Sequence, residues 1–186
     1  REGANVMLSG RSEEKLAVVK KELKSIGTGK VSYCVADITK PSDIKNLVNT
    51  TVREFGGIEL LVNNAGGPKA GTFNDMSDED WKNAFELNLL SYIRIIREVL
   101  PSLKEKGGKI VNIASSSTKE PIPGLILSNT FRTGIVGLAK TLSMEFAAEQ
   151  ILVNTVSPGR IATERVMQID KINAKKQGMS EVEIRE

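Results

Sequence analysis

Residues 108–137 read GKIVNIASSSTKEPIPGLILSNTFRTGIVG, a strand pattern and a helix pattern separated by a cluster of hydroxyl groups. The apolar, β-branched run Lys109–Ala114 predicts a buried strand, and Ser115–Ser117 follow where that strand ends. After a loop that contains Pro121 and Pro123, apolar residues recur about one turn apart and predict a helix: Phe131, Ile135, Leu138, Leu142 and Phe146. Ligands of open parallel sheets bind beyond the carboxyl ends of the strands. The serine cluster is therefore a candidate functional site.

The same alternation of strand and helix patterns extends along the rest of the chain. Strands are predicted at Ala4–Ser9, Val31–Ala36, Ile58–Asn63, Lys109–Ala114 and Ile151–Val156. Helices are predicted between them at Ser12–Ile26, Thr39–Phe55, Ser77–Lys106 and Asn129–Ala148, the third bent or ended near Pro101. This alternation predicts an α/β fold with a doubly wound, Rossmann-type parallel sheet and helices on both faces. With no repeat and no linker in the sequence, we treat residues 1–186 as one domain.

Both ends of the sequence resemble interrupted elements. Arg1–Gly3 is typical of a helix end with glycine at the C′ position, and Ser180–Glu183 is a capping box that opens a helix. We therefore expect the first strand and the C-terminal part of the fold to be missing from this chain. Residues 160–186 are polar and loosely periodic, which predicts a helical segment over the sheet edge that acts as a substrate lid.

Composition narrows the possible chemistry. The sequence contains no histidine, which excludes a Ser-His-Asp mechanism and a histidine-ligated metal, and we predict no metal site. The single cysteine, Cys34, cannot form an internal disulfide, and a reducing, cytoplasmic setting fits it. The net charge of +3 is spread without a dense Lys/Arg run, so we expect no nucleic-acid partner. No apolar run reaches the length of a bilayer span, so we expect no membrane partner.

The run from Gly108 to Ser115 resembles the strand that carries the catalytic serine of the short-chain dehydrogenase/reductase (SDR) family, with Ser115 at the catalytic position. The family places a Tyr-x-x-x-Lys pair on the next helix. Aligned without a gap, this sequence has Ser128 at the tyrosine position and Arg132 at the lysine position. The resemblance implies hydride transfer between nicotinamide and a carbonyl or alcohol substrate. In the family, serine polarises the oxygen, tyrosine exchanges the proton, and lysine lowers the tyrosine pKa and bonds the nicotinamide ribose.

Two motifs of the resemblance concern the adenosine end of the cofactor. In dinucleotide folds an acidic residue after the strand holds the ribose 2′-hydroxyl, whereas an arginine accommodates a 2′-phosphate. Here Ser9-Gly10-Arg11 has glycine at the acidic position and adds a guanidinium, so we expect NADP rather than NAD. The alternative is a solvated arginine near a helix start. Asp37-Ile38 ends the next strand, where the family aspartate bonds the adenine amino group; the alternative is a simple turn cap.

Three further motifs concern the nicotinamide end. Asn63-Asn64-Ala65-Gly66 follows a buried strand, and its small residues let the backbone approach a ligand closely. In the family, the asparagine at the position of Asn88 bonds the backbone and a water of the proton relay. The alternative for Asn88 is a core amide whose hydrogen bonds are satisfied within the protein. In the family, the Pro-Gly pair at the position of Pro158-Gly159 lets the residues after it reach the nicotinamide carboxamide and the diphosphate of the cofactor. The residues that follow here are Ile161 and Thr163, and the alternative for the pair is a simple chain reversal. The family's glycine-rich pyrophosphate turn is not in this sequence, and we expect it before Arg1.

Two functions remain open. A serine hydroxyl needs an adjacent base and an arginine does not deprotonate, so the changed pair weakens the proton relay, although Arg132 can still bond ribose hydroxyls. We predict an NADP-dependent oxidoreductase whose proton comes from water, the substrate or another residue; Tyr92, one turn after Asn88, is a minor candidate. The alternative is a nucleotide-binding or assembly protein that has lost catalysis. The resemblance also implies a homodimer or homotetramer, paired through the helices at Ser77–Lys106 and Asn129–Ala148.

Overall fold

The computed structural model describes residues 2–159 and, beyond them, Ile161, Thr163, Met167, Lys171, Ala174, Gly178 and Ser180. The strands are β1 (Val6–Gly10), β2 (Val31–Val35), β3 (Leu60–Asn63), β4 (Gly108–Ile113) and β5 (Ile151–Val156). The helices are α1 (Glu13–Ile26), α2 (Pro41–Phe55), α3 (Asp78–Phe85), α4 (Ser91–Lys106) and α5 (Ile126–Glu145). Short 3₁₀ turns lie at Phe73–Asp75 and Ser116–Thr118. The five strands and four helices predicted between Ala4 and Val156 are present, with ends shifted by a few residues, whereas the helical segment predicted at residues 160–186 lies mostly outside the described residues.

The long helix predicted at Ser77–Lys106 is continuous but not uniform. It begins with a capping box, in which the Ser77 hydroxyl accepts from the N–H of Asp80 and the Asp80 carboxylate accepts from the N–H of Ser77. A π-helical turn, Glu86–Leu90, then separates α3 from α4. Pro101 lies inside α4, which runs on to Lys106, so the helix does not end at the proline.

The strands form two parallel sheets. In the first, β1 pairs with β2, with Val6 opposite Val31. In the second, the order is β3-β4-β5, with Leu61 opposite Ile110 and Ile110 opposite Val153. Among residues 2–159, β1 and β3 are not hydrogen-bonded to each other, so each is a sheet edge. Parallel strands joined by helices are the α/β fold that the sequence predicts.

Helix α4 packs against residues of both sheets. Under the three-stranded sheet, a buried cluster combines strand residues with Ile96, Val99 and Leu103 of α4 and Ala139 of α5. Ile95 of α4 packs against this cluster and also against a second buried cluster, which contains Cys34, Ala36 and Leu47. The opposite face of the three-stranded sheet is open in the described part of the chain, and Val62 there is 55% exposed.

The carboxyl ends of the strands gather at one edge. The N–H of Ala114, after β4, donates to the carbonyl of Val156 in β5 at 2.8 Å, and the same pairing joins Ala36 to Gly10 at 3.0 Å. Ile38, just after β2, packs against the buried cluster that contains Ala65, which follows β3. The segments that follow β2 and β3 therefore adjoin.

Within residues 2–159 and the isolated positions described after them, no helix is both long enough and apolar enough to cross a bilayer.

Candidate active site

Ser115 lies where the polypeptide leaves β4. Its backbone is extended (φ −161°, ψ 154°), and it caps the 3₁₀ turn Ser116–Thr118, with its Oγ accepting from the N–H of Ser117 at 3.2 Å. The N–H of Ser116 donates to the carbonyl of Pro158 at 2.9 Å. The segment after β4 is therefore held against the segment after β5, with Ser115 at their junction.

Arg132 on α5 points at the backbone directly before Ser115. Its Nη1 donates to the carbonyl oxygens of Ile113 at 3.0 Å and Ala114 at 2.7 Å. Burial lowers the pKa of the Arg132 guanidinium, against the opposing effect of nearby Tyr92, but an arginine stays protonated in proteins. The side chain at this position thus acts as a fixed cation that ties α5 to the end of β4.

Ser128 lies one turn before Arg132 on α5 and is partly buried. Its hydroxyl makes no hydrogen bond to any residue that the structure describes. Asn129, the next residue, bonds the loop before α5 instead: its amide accepts from the N–H of Ile122 at 3.3 Å and donates to the carbonyl of Ile122 at 3.0 Å. The start of α5 is therefore anchored, and Ser128 has no described base beside it.

Asn88 lies in the π-helical turn and is 2% exposed. Its Nδ2 donates to the carbonyl of Gly66 at 2.6 Å, while its Oδ1 has no hydrogen-bond partner among the described residues. A buried acceptor without a partner is unfavourable by about 1–3 kcal/mol, which favours an ordered water at Oδ1. π-helical turns are frequent at functional sites.

The Asn63-Asn64-Ala65-Gly66 segment is held by side chains from two directions. Asn63 is buried, and its Nδ2 donates to Oδ1 of Asn112 in β4 at 2.9 Å. The N–H of Ala65 donates to the hydroxyl of Tyr92 at 3.0 Å. Sequence reasoning gave Tyr92 little weight; its only signal was its position one turn after Asn88.

At the end of β1, Ser9 and Arg11 are exposed, and the charge of Arg11 acts on Asp37, which follows β2. The Asp37 carboxylate accepts from the hydroxyl of Thr39 at 2.7 Å and from its N–H at 3.0 Å. These two bonds, more than the charges of Arg11 and Lys40, lower the pKa of Asp37. Asp37 thus caps a turn, while the adenine contact stays a prediction.

Beyond β5, the predicted cofactor residues are only partly described. The carbonyl of Pro158 accepts from the N–H of Ser116, as described above, and Gly159 is exposed. Ile161 is 59% exposed, and the carbonyl of Thr163 accepts from the N–H of Met167 at 3.0 Å. Most of the predicted lid, residues 160–186, lies outside the described residues.

The geometry places Ser115, Arg132 and the Asn63–Gly66 segment together at the ends of β3 and β4, with Asn88 and Tyr92 beside them. A sequence model of the short chain dehydrogenase family matches residues 1–174. The chain belongs to the short chain dehydrogenase family, a family of oxidoreductases.

Three similar proteins illustrate the match. The chain is 33% identical over 184 residues to a D-beta-hydroxybutyrate dehydrogenase from Rhizobium meliloti, covering 98% of this chain. It superposes on a variant of actinorhodin polyketide ketoreductase with NADPH at a TM-score of 0.92 and 31% identity, covering 98% of this chain and 70% of that one. An NADPH-bound short chain oxidoreductase from Pseudomonas aeruginosa PAO1 with an atypical catalytic center gives a TM-score of 0.85 at 25% identity, covering 93% of this chain and 67% of that one.

The matches cover only part of each relative. The chain spans 71% of the length of the Rhizobium protein, and 60% and 63% of the length of two further relatives from Streptomyces.

Proposed function

We propose that the protein is an NADP-dependent oxidoreductase that transfers a hydride between nicotinamide and a carbonyl or alcohol carbon. Ser115 is the hydroxyl that binds the reacting oxygen. The observation that carries the proposal is the way the backbone before Ser115 is held: Arg132 bonds the carbonyls of Ile113 and Ala114. A catalytic hydroxyl on a fixed strand end orients a substrate without rearrangement, and such positioning supplies much of an enzyme's rate.

The residues at the strand ends fit an NADP cofactor. Arg11 presents an exposed guanidinium, and no acidic side chain ends β1, which suits a 2′-phosphate. A side chain added at Gly66 or Gly159 would meet no atom of the described residues within 4 Å, which leaves room for a ligand beside the backbone there. When bound, the nicotinamide supplies or accepts the hydride. We assign the adenosine end to Ser9, Arg11, Asp37 and Ile38, and the nicotinamide end to Asn63, Ala65, Gly66, Arg132, Pro158, Gly159, Ile161 and Thr163.

The proton at the reacting oxygen comes from a source other than a tyrosine tuned by a lysine. Ser128 and Arg132 occupy those two positions, and neither offers an acid near neutral pH. We propose that water supplies the proton, with the buried Oδ1 of Asn88 as an acceptor that holds it. Loss of a positioned general acid lowers rates about 10²–10⁴-fold, so we expect slow turnover.

A second candidate function is nucleotide binding without catalysis. The observation that favours it is Ser128, whose hydroxyl has no base beside it in the described structure. The nearby cation, Arg132, directs one guanidinium nitrogen, Nη1, at two backbone carbonyls. A pocket of this kind would still bind NADPH.

Steady-state NADPH oxidation by the full-length protein, assayed against a panel of ketones and aldehydes, distinguishes the two. We expect slow turnover with at least one carbonyl substrate, and a further loss of about 10²-fold in Ser115→Ala. NADPH binding without any turnover supports the second function. Failure to bind NADPH contradicts both.

We also propose that the protein forms a homodimer or homotetramer through α4 and α5. Among the apolar residues of these helices, Ile96 and Ile135 are 4% and 1% exposed and belong to the core. Val136 and Met144 of α5 are 37% and 67% exposed and are better candidates for the contact. Light scattering at micromolar concentration should show an assembly, and a monomer contradicts the proposal.

A further inference from the structure

The hydroxyl of Tyr92 joins the ends of two neighbouring strands. It accepts a hydrogen bond from the N–H of Ala65, two residues after β3, at 3.0 Å. It lies 3.3 Å from the carbonyl oxygen of Ile113, the last residue of β4, and donates to it. Tyr92 is 2% exposed, so both bonds are shielded from water. One phenol therefore links the segment after β3 to the strand that leads into Ser115.

Asn88 holds the segment after β3 at the adjacent residue. Its Nδ2 donates to the carbonyl of Gly66, next to the N–H of Ala65 that Tyr92 accepts from. Asn88 lies within the π-helical turn Glu86–Leu90 and Tyr92 lies just after it, and both side chains face the same segment. Two side chains of one continuous helix thus fix both a donor and an acceptor of the Ala65–Gly66 backbone.

Arg132 approaches the same carbonyl from α5. The Ile113 oxygen accepts from both Tyr92 and Arg132, which its two lone pairs allow. Burial raises the pKa of the Tyr92 phenol, although the N–H of Ala65 and the charge of Arg132 act the other way. The hydroxyl therefore stays protonated near neutral pH and continues to donate.

We propose that Tyr92 is a positioning residue: its hydroxyl ties the Ala65–Gly66 turn to the strand end that presents Ser115, and so fixes the cofactor relative to the catalytic serine. The inference rests on the proposed function of this site. Tyr92 does not serve as the proton donor, because its proton is committed to the Ile113 carbonyl and its side chain is buried.

The test compares Tyr92→Phe with wild type in the full-length protein. Phenylalanine keeps the ring, which packs with Ala65 and Ile135, and removes only the hydroxyl. The matched control is Tyr33→Phe, which removes the hydroxyl of a tyrosine bonded to Glu13 on α1. All assays run well below the unfolding temperature of each variant. The quantities measured are kcat, KM for the carbonyl substrate and the dissociation constant of NADPH.

We expect Tyr92→Phe to lower kcat about ten-fold or more, because a misplacement near 1 Å lowers rates by up to about 10²-fold. NADPH binding should weaken several-fold, while KM for the carbonyl substrate stays within about two-fold. Tyr33→Phe should match wild type in all three. If the Tyr92 hydroxyl had only a structural role, its loss would lower the unfolding temperature alone. It would not lower kcat and NADPH affinity while KM for the carbonyl substrate stays unchanged.

A Tyr92→Phe protein with wild-type kcat and wild-type NADPH affinity overturns the proposal and leaves the proposed reaction intact. If wild type binds NADPH without turnover, the reaction is contradicted, and weaker NADPH binding by Tyr92→Phe still supports positioning. If wild type binds no NADPH, both are contradicted. Amide hydrogen exchange tests the same bond in the wild-type protein. The Ala65 amide should exchange slowly because it donates to the Tyr92 hydroxyl. Exchange as fast as that of an exposed loop amide overturns the proposal.

Discussion

Arg132 donates a 2.7 Å hydrogen bond to the carbonyl oxygen of Ala114, the residue directly before Ser115. The same Nη1 also reaches the Ile113 carbonyl, so a single nitrogen makes both bonds. Nη2 and Nε have no partner among the described residues. Arginine at this position therefore holds the end of β4 in place with one nitrogen.

Arg11→Asp should reverse the cofactor preference. The change removes the guanidinium that we assign to the 2′-phosphate and adds a carboxylate that repels it, so we expect NADPH to bind at least about ten-fold more weakly. NADH should bind as well as before or better. Fluorescence titration of both cofactors measures this, with Arg53→Asp, an equal charge change on the exposed face of α2, as the control. Unchanged NADPH affinity in Arg11→Asp contradicts the assignment.

Asp80 should stabilise the fold in a pH-dependent way. Hydrogen bonds from Lys69 and then from the N–H and hydroxyl of Ser77 lower its pKa from 3.8 to about 2. Because the folded-state pKa lies below the unfolded value, the stabilisation is complete above about pH 4 and is lost as the pH falls toward about 2. Asp80→Asn should therefore lower the unfolding temperature at pH 7, and the difference from wild type should shrink as the pH falls through about 2 and vanish below it.

The matched control for Asp80 is Asp78→Asn, which removes a charge from the same first turn of α3 outside the capping box. A pH-independent difference between Asp80→Asn and wild type would show that the Asp80 carboxylate charge does not stabilise the helix start.

Asn63→Ala should destabilise the protein by about 1–3 kcal/mol, because it leaves the buried Oδ1 of Asn112 without its donor. Denaturant unfolding should show a lower midpoint with an unchanged slope. Asn64→Ala is the control: Asn64 is the exposed neighbour, and its replacement should change the free energy of unfolding by less than about 0.5 kcal/mol. Equal stabilities of the two variants would contradict a structural role for the Asn63–Asn112 pair.

Local sequence patterns were sufficient to predict the strands and the helices, and with them the sheet edge at which the candidate site lies. Ile110, in the predicted strand, is 0% exposed, and Ser77 caps the predicted helix. Both were predictable because a continuous apolar run and a capping box are patterns of residues that are close in sequence. Asn88 was singled out because an amide on an apolar helix needs a partner, and its bond to Gly66 supplies one.

The contacts of Tyr92 and Arg132 were beyond sequence reasoning. Both side chains bond backbone groups at the ends of β3 and β4, and a backbone carbonyl or N–H leaves no signature in a sequence. Tyr92 reaches Ala65 and Ile113 across 27 and 21 positions, and Arg132 reaches Ile113 across 19. The π-helical turn was missed because hydrophobic periodicity does not resolve one added residue in a continuous helix.

The double variant Ser128→Tyr/Arg132→Lys tests the central claim most directly: that the site is assembled for carbonyl reduction and lacks only a tuned proton donor. The measurement is steady-state NADPH oxidation with a panel of ketones, comparing wild type, each single variant and the double variant. We predict that the double variant is faster than wild type by about 10²-fold or more, and that each single variant gains less, because tyrosine and lysine act as a unit. Wild-type turnover at ordinary enzyme rates, together with a slower double variant, would contradict the claim and show that Ser128 and Arg132 belong to a working mechanism of their own.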